Sequence, residues 1–328
     1  MTGKLRWGII STANIGLKAV IPATQASQRG EVVAIASRDI ETAKEAAAGL
    51  GIPKAYGSYE ALLEAPDIDA VYNPLPNHLH AEWSIAAAKA GKHVLCEKPL
   101  ALSAGEASEM VAAFDEAGVK LMEAFMYRLH PQWAMVRRLV ADGRIGELKA
   151  VNSWFSYNNT DPANIRNVVD WGGGGLMDIG CYCVNVSRML FGAEPDEVKA
   201  LMQRHPEFGT DVVTAAVMRF GSGLASFTCS TVIEDFQRVE IVGTAGRIEV
   251  EVPFNAWPDR PNRIVVVNEG DGRTDVGVDH VESEVADQYS LQADAFAAAV
   301  LDNSPLPLAA SDSVANMEVI DRIFAAAG

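Results

Sequence analysis

The sequence predicts an α/β protein in two parts, a doubly wound parallel sheet followed by an antiparallel sheet with few helices. Two observations carry this. Over the first 126 residues, strand-length apolar runs alternate with helical periodicity through short links, the pattern of repeated β-α units. Beyond Met126 the pattern is mostly strands, joined by glycine-containing turns. A chain of 328 residues has room for two domains. The change of texture divides it into 1–126 and 127–328.

In order, Leu5 to Ile10 is a short apolar run ended by Ser11, and helical periodicity follows over Ile15 to Ala26. Glu31 to Ser37 is a strand rich in Val and Ile, and Ile40 to Leu50 an Ala- and Glu-rich helix. Asp69 to Asn73 is a strand stopped by Pro74 and Pro76. Ala81–Ala90 and Ala104–Ala117 are helices closed by Gly91 and Gly118, with strands at Lys92–Cys96 and Val119–Ala124. Past Met126, a helix at Gln132–Asp142 leads to a strand near Leu148–Tyr157, and a second helix covers Leu176–Leu190. Strands follow at Val212–Phe220, Leu224–Thr231, Arg238–Val242, Arg247–Val252 and Arg263–Val267. Two helices, Val285–Asp302 and Ser313–Ala326, close the chain and can pack back on the first domain.

Composition narrows the function. With 49% hydrophobic and 21% charged residues, a chain of this length buries a core without disulfides. A formal charge of -16 repels duplexes and anionic membranes, so neither nucleic acid nor membrane is expected as a partner. The four cysteines form no Cys-x-x-Cys pair and read as buried thiols. The charged start runs straight into a strand, and no apolar run approaches the ~18 residues of a membrane span. A cytoplasmic location follows. No metal is expected, since His78-x-His80 lacks a nearby third ligand.

The loop after the first strand reads Gly8-Ile9-Ile10-Ser11-Thr12-Ala13-Asn14-Ile15-Gly16. Set on the fingerprint G-x-G-x-x-G, it becomes Ser11-x-Ala13-x-x-Gly16. The fingerprint puts small residues where the backbone approaches a pyrophosphate at a helix N-terminus. A tight β-α turn without ligand looks similar, but the place after the first strand of an α/β run favours a dinucleotide. Gly8, Ser11, Thr12, Ala13, Asn14 and Ile15 are therefore candidate cofactor residues. The second strand ends in Ala36-Ser37-Arg38-Asp39. A guanidinium at Arg38, helped by the Ser37 hydroxyl, suits a 2′-phosphate, and Asp39 can pair with Arg38 or reach a ribose. NADP is the expected cofactor, with some use of NAD.

Lys98, in Cys96-Glu97-Lys98-Pro99, falls just past a strand end, where ligands bind in open α/β sheets. On spacing alone it fits a surface lysine equally well. Asp178 and Tyr182 are four apart on an apolar helix and share a face. Buried polar groups need partners, and catalysis or mutual bonding would each supply them. Pro74, Leu75, Asn77, His78, Glu97 and Arg128 are further candidate cofactor contacts. Tyr157 and Trp171 are candidate substrate contacts beside Lys98, Asp178 and Tyr182. Weaker candidates are His130, Trp154, Phe155 and Asn185.

These stretches together resemble the Gfo/Idh/MocA oxidoreductase family, named for glucose-fructose oxidoreductase and inositol dehydrogenase. The resemblance runs through Trp7–Gly16, Ser37-Arg38, Pro74 to His78, Glu97-Lys98-Pro99, Glu123 to Pro131, Gly173 to Tyr182 and Asn316 to Asp321. It implies an N-terminal Rossmann domain and a C-terminal α+β domain with a large, mainly antiparallel, open-faced sheet. It also implies homodimers or homotetramers formed through that sheet. Lys98 matches the family's catalytic lysine near the nicotinamide. Tyr182 occupies the acid/base position, where inositol dehydrogenase-type members place histidine, and Asp178 positions substrate or tyrosine. Tyrosine there points to the subgroup of glucose-fructose oxidoreductase, NADP-dependent D-xylose dehydrogenase, anhydrofructose reductase and dimeric dihydrodiol dehydrogenase. Ala13 departs from the glycine of many members, though this subgroup accepts small residues.

A tyrosine titrating near ~10 is a weak base at neutral pH, and a lysine ammonium beside it favours the phenolate. The expectation is that Lys98 and Tyr182 meet at the nicotinamide and handle the proton while hydride moves to or from a sugar or polyol carbon. The reading that fits best is an aldose 1-dehydrogenase acting on D-xylose or D-glucose. Alternatives are an NADPH-dependent reductase of a sugar carbonyl such as 1,5-anhydrofructose, a trans-dihydrodiol dehydrogenase, and a non-catalytic NADP-sensing regulator.

Overall fold

Leu5–Ile10 forms strand β1, whose near-continuous apolar run is buried on both faces, as a central parallel strand requires. This is a computed structural model, and it describes residues 3–268 and 277–328. Around β1 stand β2 (Gly30–Ala36), β3 (Lys54–Tyr56), β4 (Ala70–Asn73), β5 (His93–Cys96) and β6 (Leu121–Glu123). They make one parallel sheet in the order β3-β2-β1-β4-β5-β6. The order reverses between β1 and β4, which is where doubly wound sheets hold ligands. A π-helical turn at Gly16–Val20 leads into α1 (Ile21–Ala26), and α2 (Ile40–Leu50), α3 (Tyr59–Leu63), α4 (His80–Lys89) and α5 (Ala104–Ala117) complete the layers. β3 and α3 are absent from the sequence reading: each is short, and β3 buries none of its residues.

A second sheet has eight strands in the order β14-β13-β12-β11-β7-β10-β9-β8. They are β7 (Leu148–Asn158), β8 (Glu197–Arg204), β9 (Asp211–Phe220), β10 (Gly223–Ser230), β11 (Val232–Gly243), β12 (Gly246–Val250), β13 (Arg263–Asn268) and β14 (Gly277–Glu282). Every pairing is antiparallel except β7 with β10. One face is covered by a π-helical turn, Leu176–Gly180, running into α7 (Cys181–Phe191). The helix expected at Leu176–Leu190 therefore begins as a wider turn. α6 (Pro131–Ala141) starts at a proline suited to a first helical turn.

The chain forms two compact units, Met1–Met126 with Tyr289–Met317, and Tyr127–Gln288 with Glu318–Gly328. A single cut after residue 126 therefore does not describe it. Most of α8 (Gln288–Leu301) belongs to the first unit. The Phe296 ring lies 5.1 Å from that of Trp7, and Asp294 accepts the Arg29 backbone N–H at 2.8 Å. Arg29 closes an ion pair with Asp302 at 2.5 Å. α9 (Ala310–Ala327) spans the change from the first unit to the second. All four cysteines are free and buried. Among the described residues no helix is long and apolar enough to cross a membrane, and no group of three His, Cys, Asp or Glu could hold a metal ion.

Candidate active site

In the first unit, β1 delivers the chain to Ser11, whose φ of 78° lies in the left-handed region. Glycine takes that conformation at no steric cost, which explains the fingerprint's usual glycine. Serine bears a strain on the order of 1 kcal/mol. Its hydroxyl accepts the Ala13 N–H at 3.3 Å. Thr12, Ala13 and Ile15 are half-buried and Asn14 is exposed, so the turn presents backbone at a helix start, as a pyrophosphate site needs. Gly8 has a different reason to be glycine. A Cβ there would lie 2.9 Å from Leu62 Cδ2, so Gly8 sits inside the strand and admits α3.

At the end of β2, Ser37 is half-buried and Arg38 exposed. Arg38 reaches the Tyr59 hydroxyl. Asp39 faces elsewhere and caps α2, accepting the backbone N–H of Glu41 (3.3 Å) and Thr42 (3.2 Å) and the Thr42 hydroxyl (2.7 Å). The Thr42 hydroxyl and these N–H groups hold its carboxyl below the usual range. Its anionic oxygens are thus engaged by the helix, while the guanidinium stays at the surface.

Lys98 is half-buried on the turn after β5, and the residues around it are fixed one by one. The Glu97 N–H donates to Asn73 O at 3.0 Å, and its carboxylate accepts the Tyr72 hydroxyl at 2.6 Å. Leu100 N–H donates to Glu123 Oε1 at 2.8 Å. His80 is fully buried, with Nδ1 2.8 Å from the Pro99 carbonyl oxygen and Nε2 2.8 Å from that of Leu75. Burial pushes its pKa down to about 4, against the upward pull of the two carbonyls. Asn73 donates to His80 O (3.2 Å) and the Ser84 hydroxyl (3.0 Å), and accepts the Leu75 N–H (3.3 Å). Pro74 and Leu75 are buried, and Asn77 and His78 half-buried, on this same turn.

In the second unit, Asp178 lies on the π-helical turn, 9% exposed. Its Oδ2 accepts the Tyr157 hydroxyl at 2.6 Å and Arg166 Nε at 2.9 Å. Burial and the carboxylate push the Tyr157 phenol up, so it stays a donor. Tyr182, 5% exposed, sits among aromatic rings, with centroids 5.3 Å from Phe254 and 5.6 Å from Phe155 and Tyr127. Asp211 anchors the turn, accepting Leu176 N–H (2.7 Å) and the Thr214 hydroxyl (2.8 Å).

The structure thus brings Asp178 together with Tyr157, and Tyr182 with Phe155. Lys98 and the cofactor candidates up to Glu97 belong to the first unit; Arg128, Tyr157, Trp171, Asp178 and Tyr182 belong to the second. Arg128 donates to the Asn185 side-chain Oδ1 at 3.0 Å, and the Tyr127 hydroxyl to the same oxygen at 2.6 Å. Trp171 is 41% exposed. His130 caps α6, its Nδ1 accepting Gln132 N–H at 3.2 Å. Trp154 and Phe155 alternate across β7, so they cannot flank one sugar together: Trp154 meets Phe236, Phe155 meets Tyr182. The sequence reading missed Tyr72, His80, Arg166 and Phe254. A spacing pattern signals none of the four, because each contacts segments distant in sequence.

Residues 5–125 match the family model described as the oxidoreductase family with an NAD-binding Rossmann fold, and residues 133–249 match the GFO/IDH/MocA C-terminal domain. The chain belongs to the Gfo/Idh/MocA oxidoreductase family. It is 41% identical over 325 residues to D-xylose 1-dehydrogenase (NADP(+)) 2 of Haloferax volcanii, covering 98% of this chain and 97% of the relative. It is 36% identical to trans-1,2-dihydrobenzene-1,2-diol dehydrogenase of Bos taurus, covering 81% and 78%. The 3-ketoreductase KijD10 of Actinomadura kijaniata, solved with NADP and TDP-benzene, superposes with a TM-score of 0.92 at 31% identity, covering 99% of this chain and 98% of that one. Structures of that ketoreductase also exist with a lysine replaced by alanine and with a tyrosine replaced by phenylalanine. As a member of the family, this chain is an oxidoreductase whose first unit is an NAD-binding Rossmann domain.

Proposed function

We propose that the chain is an NADP-dependent oxidoreductase of sugars or polyols, and that it fits best as an aldose 1-dehydrogenase for a substrate such as D-xylose. The observation that carries the reading is the end of β2, where Asp39 is turned into the α2 cap and Arg38 stands exposed beside Ser37. A carboxylate held away from the ribose and a guanidinium near it favour a 2′-phosphate. The NADP(+)-named xylose dehydrogenase relative supports both cofactor and substrate class. The turn of Ser11 to Ile15 would hold the pyrophosphate, and Pro74, Leu75, Asn77, His78 and Glu97 would line the nicotinamide end.

NADP held there would supply the hydride chemistry, and the protein's own residues would orient the substrate and handle its proton. Lys98 donates a hydrogen bond to the reacting oxygen. The Tyr182 phenol exchanges that oxygen's proton, taking it in oxidation and returning it in reduction. Asp178, held by Tyr157 and Arg166, orients the substrate hydroxyls. The lysine and tyrosine variants of the ketoreductase involve these same two residue types. A homodimer or homotetramer through the second sheet would cover Leu201, Val217, Leu224 and Phe236, which share its exposed face. The protein would work in the cytoplasm.

The test is a panel of aldoses, ketoses, 1,5-anhydrofructose and trans-dihydrodiols, with NADP and NAD in both directions, followed by absorbance of the reduced cofactor. Fastest turnover of an aldose with NADP is expected. Faster turnover of a dihydrodiol would favour the second relative's activity. No turnover of any member, with NADP still bound, would return the protein to a sensing role.

A further inference from the structure

We propose that His80 is a positioning residue that couples the cofactor-contacting turn after β4 to the lysine-bearing turn after β5. This rests on the roles given above to Pro74–Asn77 and Lys98. The imidazole is 0% exposed, and its two ring nitrogens lie 2.8 Å from two different turns, at Leu75 O and at Pro99 O. Leu75 belongs to the turn that would contact the cofactor, and Pro99 follows Lys98 directly. Leu75 and Pro99 are both buried, and the ring, kept neutral by burial, donates its single N–H to one of the two carbonyl oxygens while its other nitrogen packs against the second. His80 starts α4, and its own carbonyl accepts from Asn73, the residue that ends β4 and takes the Glu97 N–H. The ring is thereby fixed to the sheet and holds both turns in register. A catalytic lysine misplaced by even about 1 Å loses rate steeply, which gives such a clamp its use.

Two amide substitutions separate the two contacts. An asparagine places its amide nitrogen near the position of Nδ1, toward Pro99. A glutamine places its own near Nε2, toward Leu75. The readouts are NADPH affinity by fluorescence titration, and kcat on whichever sugar of the panel the unaltered chain turns over fastest. His80→Asn is expected to weaken NADPH about tenfold while kcat falls much less. His80→Gln is expected to keep NADPH affinity and to lose about tenfold or more in kcat. His80→Leu, which donates to neither carbonyl, should lose both. Thermal melts on all three separate this from simple weakening of the core.

The proposal is overturned if the two amide variants shift affinity and kcat alike, or if all three only melt earlier with kinetics unchanged. Lys98→Ala serves as the control on the underlying reading. If it turns over like the unaltered chain, the lysine's role fails, while the NADPH arm of the His80 test still reports on the Leu75 contact.

Discussion

At the scale of single residues, the β2 end makes opposite predictions for neighbours. Arg38→Ala should weaken NADP by tenfold or more and leave NAD nearly unchanged, because a charge-assisted contact to phosphate contributes roughly 1.5–3 kcal/mol. Asp39→Ala should leave cofactor choice alone and lower the melting temperature, since its carboxylate caps α2. The cap's pKa is depressed by the Thr42 hydroxyl and the helix N–H groups, so its stabilisation is present above the unfolded carboxyl pKa and fades as pH falls through the folded one. Equal loss of both cofactors in Arg38→Ala would refute the 2′-phosphate assignment. Tyr182→Phe and Lys98→Ala should each cut kcat by 10²-fold or more, on the order expected for a lost proton-transfer group, with NADP affinity largely kept. Undiminished turnover in Tyr182→Phe would remove the phenol from the chemistry.

At the scale of elements, the run Gly172–Gly175 decides whether the Asp178 turn can form. Gly174 has φ +118°, and a Cβ there would stand 2.0 Å from Asp211 Oδ1. Gly173 packs against Arg166 O, which also accepts the Gly174 N–H at 2.9 Å. Gly174→Ala should therefore cost about 3 kcal/mol or more, read by denaturant unfolding, or prevent folding altogether. A melt like that of the unaltered chain would contradict the close approach. Elements of this kind show how far the sequence was legible. The strands of the first sheet other than β3 stand out because burial makes each a largely apolar run, whereas the edge strand β3, Lys54–Tyr56, is too short and exposed to do so. The edge strand β8, Glu197–Arg204, was illegible: charged and polar side chains at Glu197, Lys199, Gln203 and Arg204 mask its alternation. β11 begins at Val232, six residues before the expected Arg238, because Glu234 and Asp235 read as loop. The site's motifs were visible in sequence, whereas Arg166 and His80 act through chain separated by 12 and 19 residues. Periodicity carries no information about such contacts.

At the scale of the whole molecule, the composition and the two-part texture were readable, and the last helices were expected to be able to pack back on the first domain, but that the returning stretch is Tyr289–Met317 follows from packing that no local pattern encodes. The return makes the N-terminal Rossmann stretch dependent on contacts between residues 265 or more apart in the chain. Trp7 is 2% exposed, Phe296 is 0% exposed, and their rings lie 5.1 Å apart. Asp294 satisfies the Gln28 (3.2 Å) and Arg29 (2.8 Å) backbone N–H groups. Ser290 donates to Ala23 O at 3.1 Å. Truncating Phe296 to alanine removes a buried ring and should destabilise the first unit by about 3–5 kcal/mol. NADPH added at a hundredfold excess over its Kd should recover about 2.7 kcal/mol of that, because it binds only the folded form. Residues 1–126 expressed alone lack α8 altogether and expose Trp7. They are expected to aggregate or to unfold without cooperativity, with no NADPH fluorescence change. The same stretch joined by a flexible linker to 289–317 should melt cooperatively and bind NADPH. If 1–126 alone binds NADPH as tightly as the full chain, α8 is dispensable to the cofactor unit and the division of the chain drawn here is wrong.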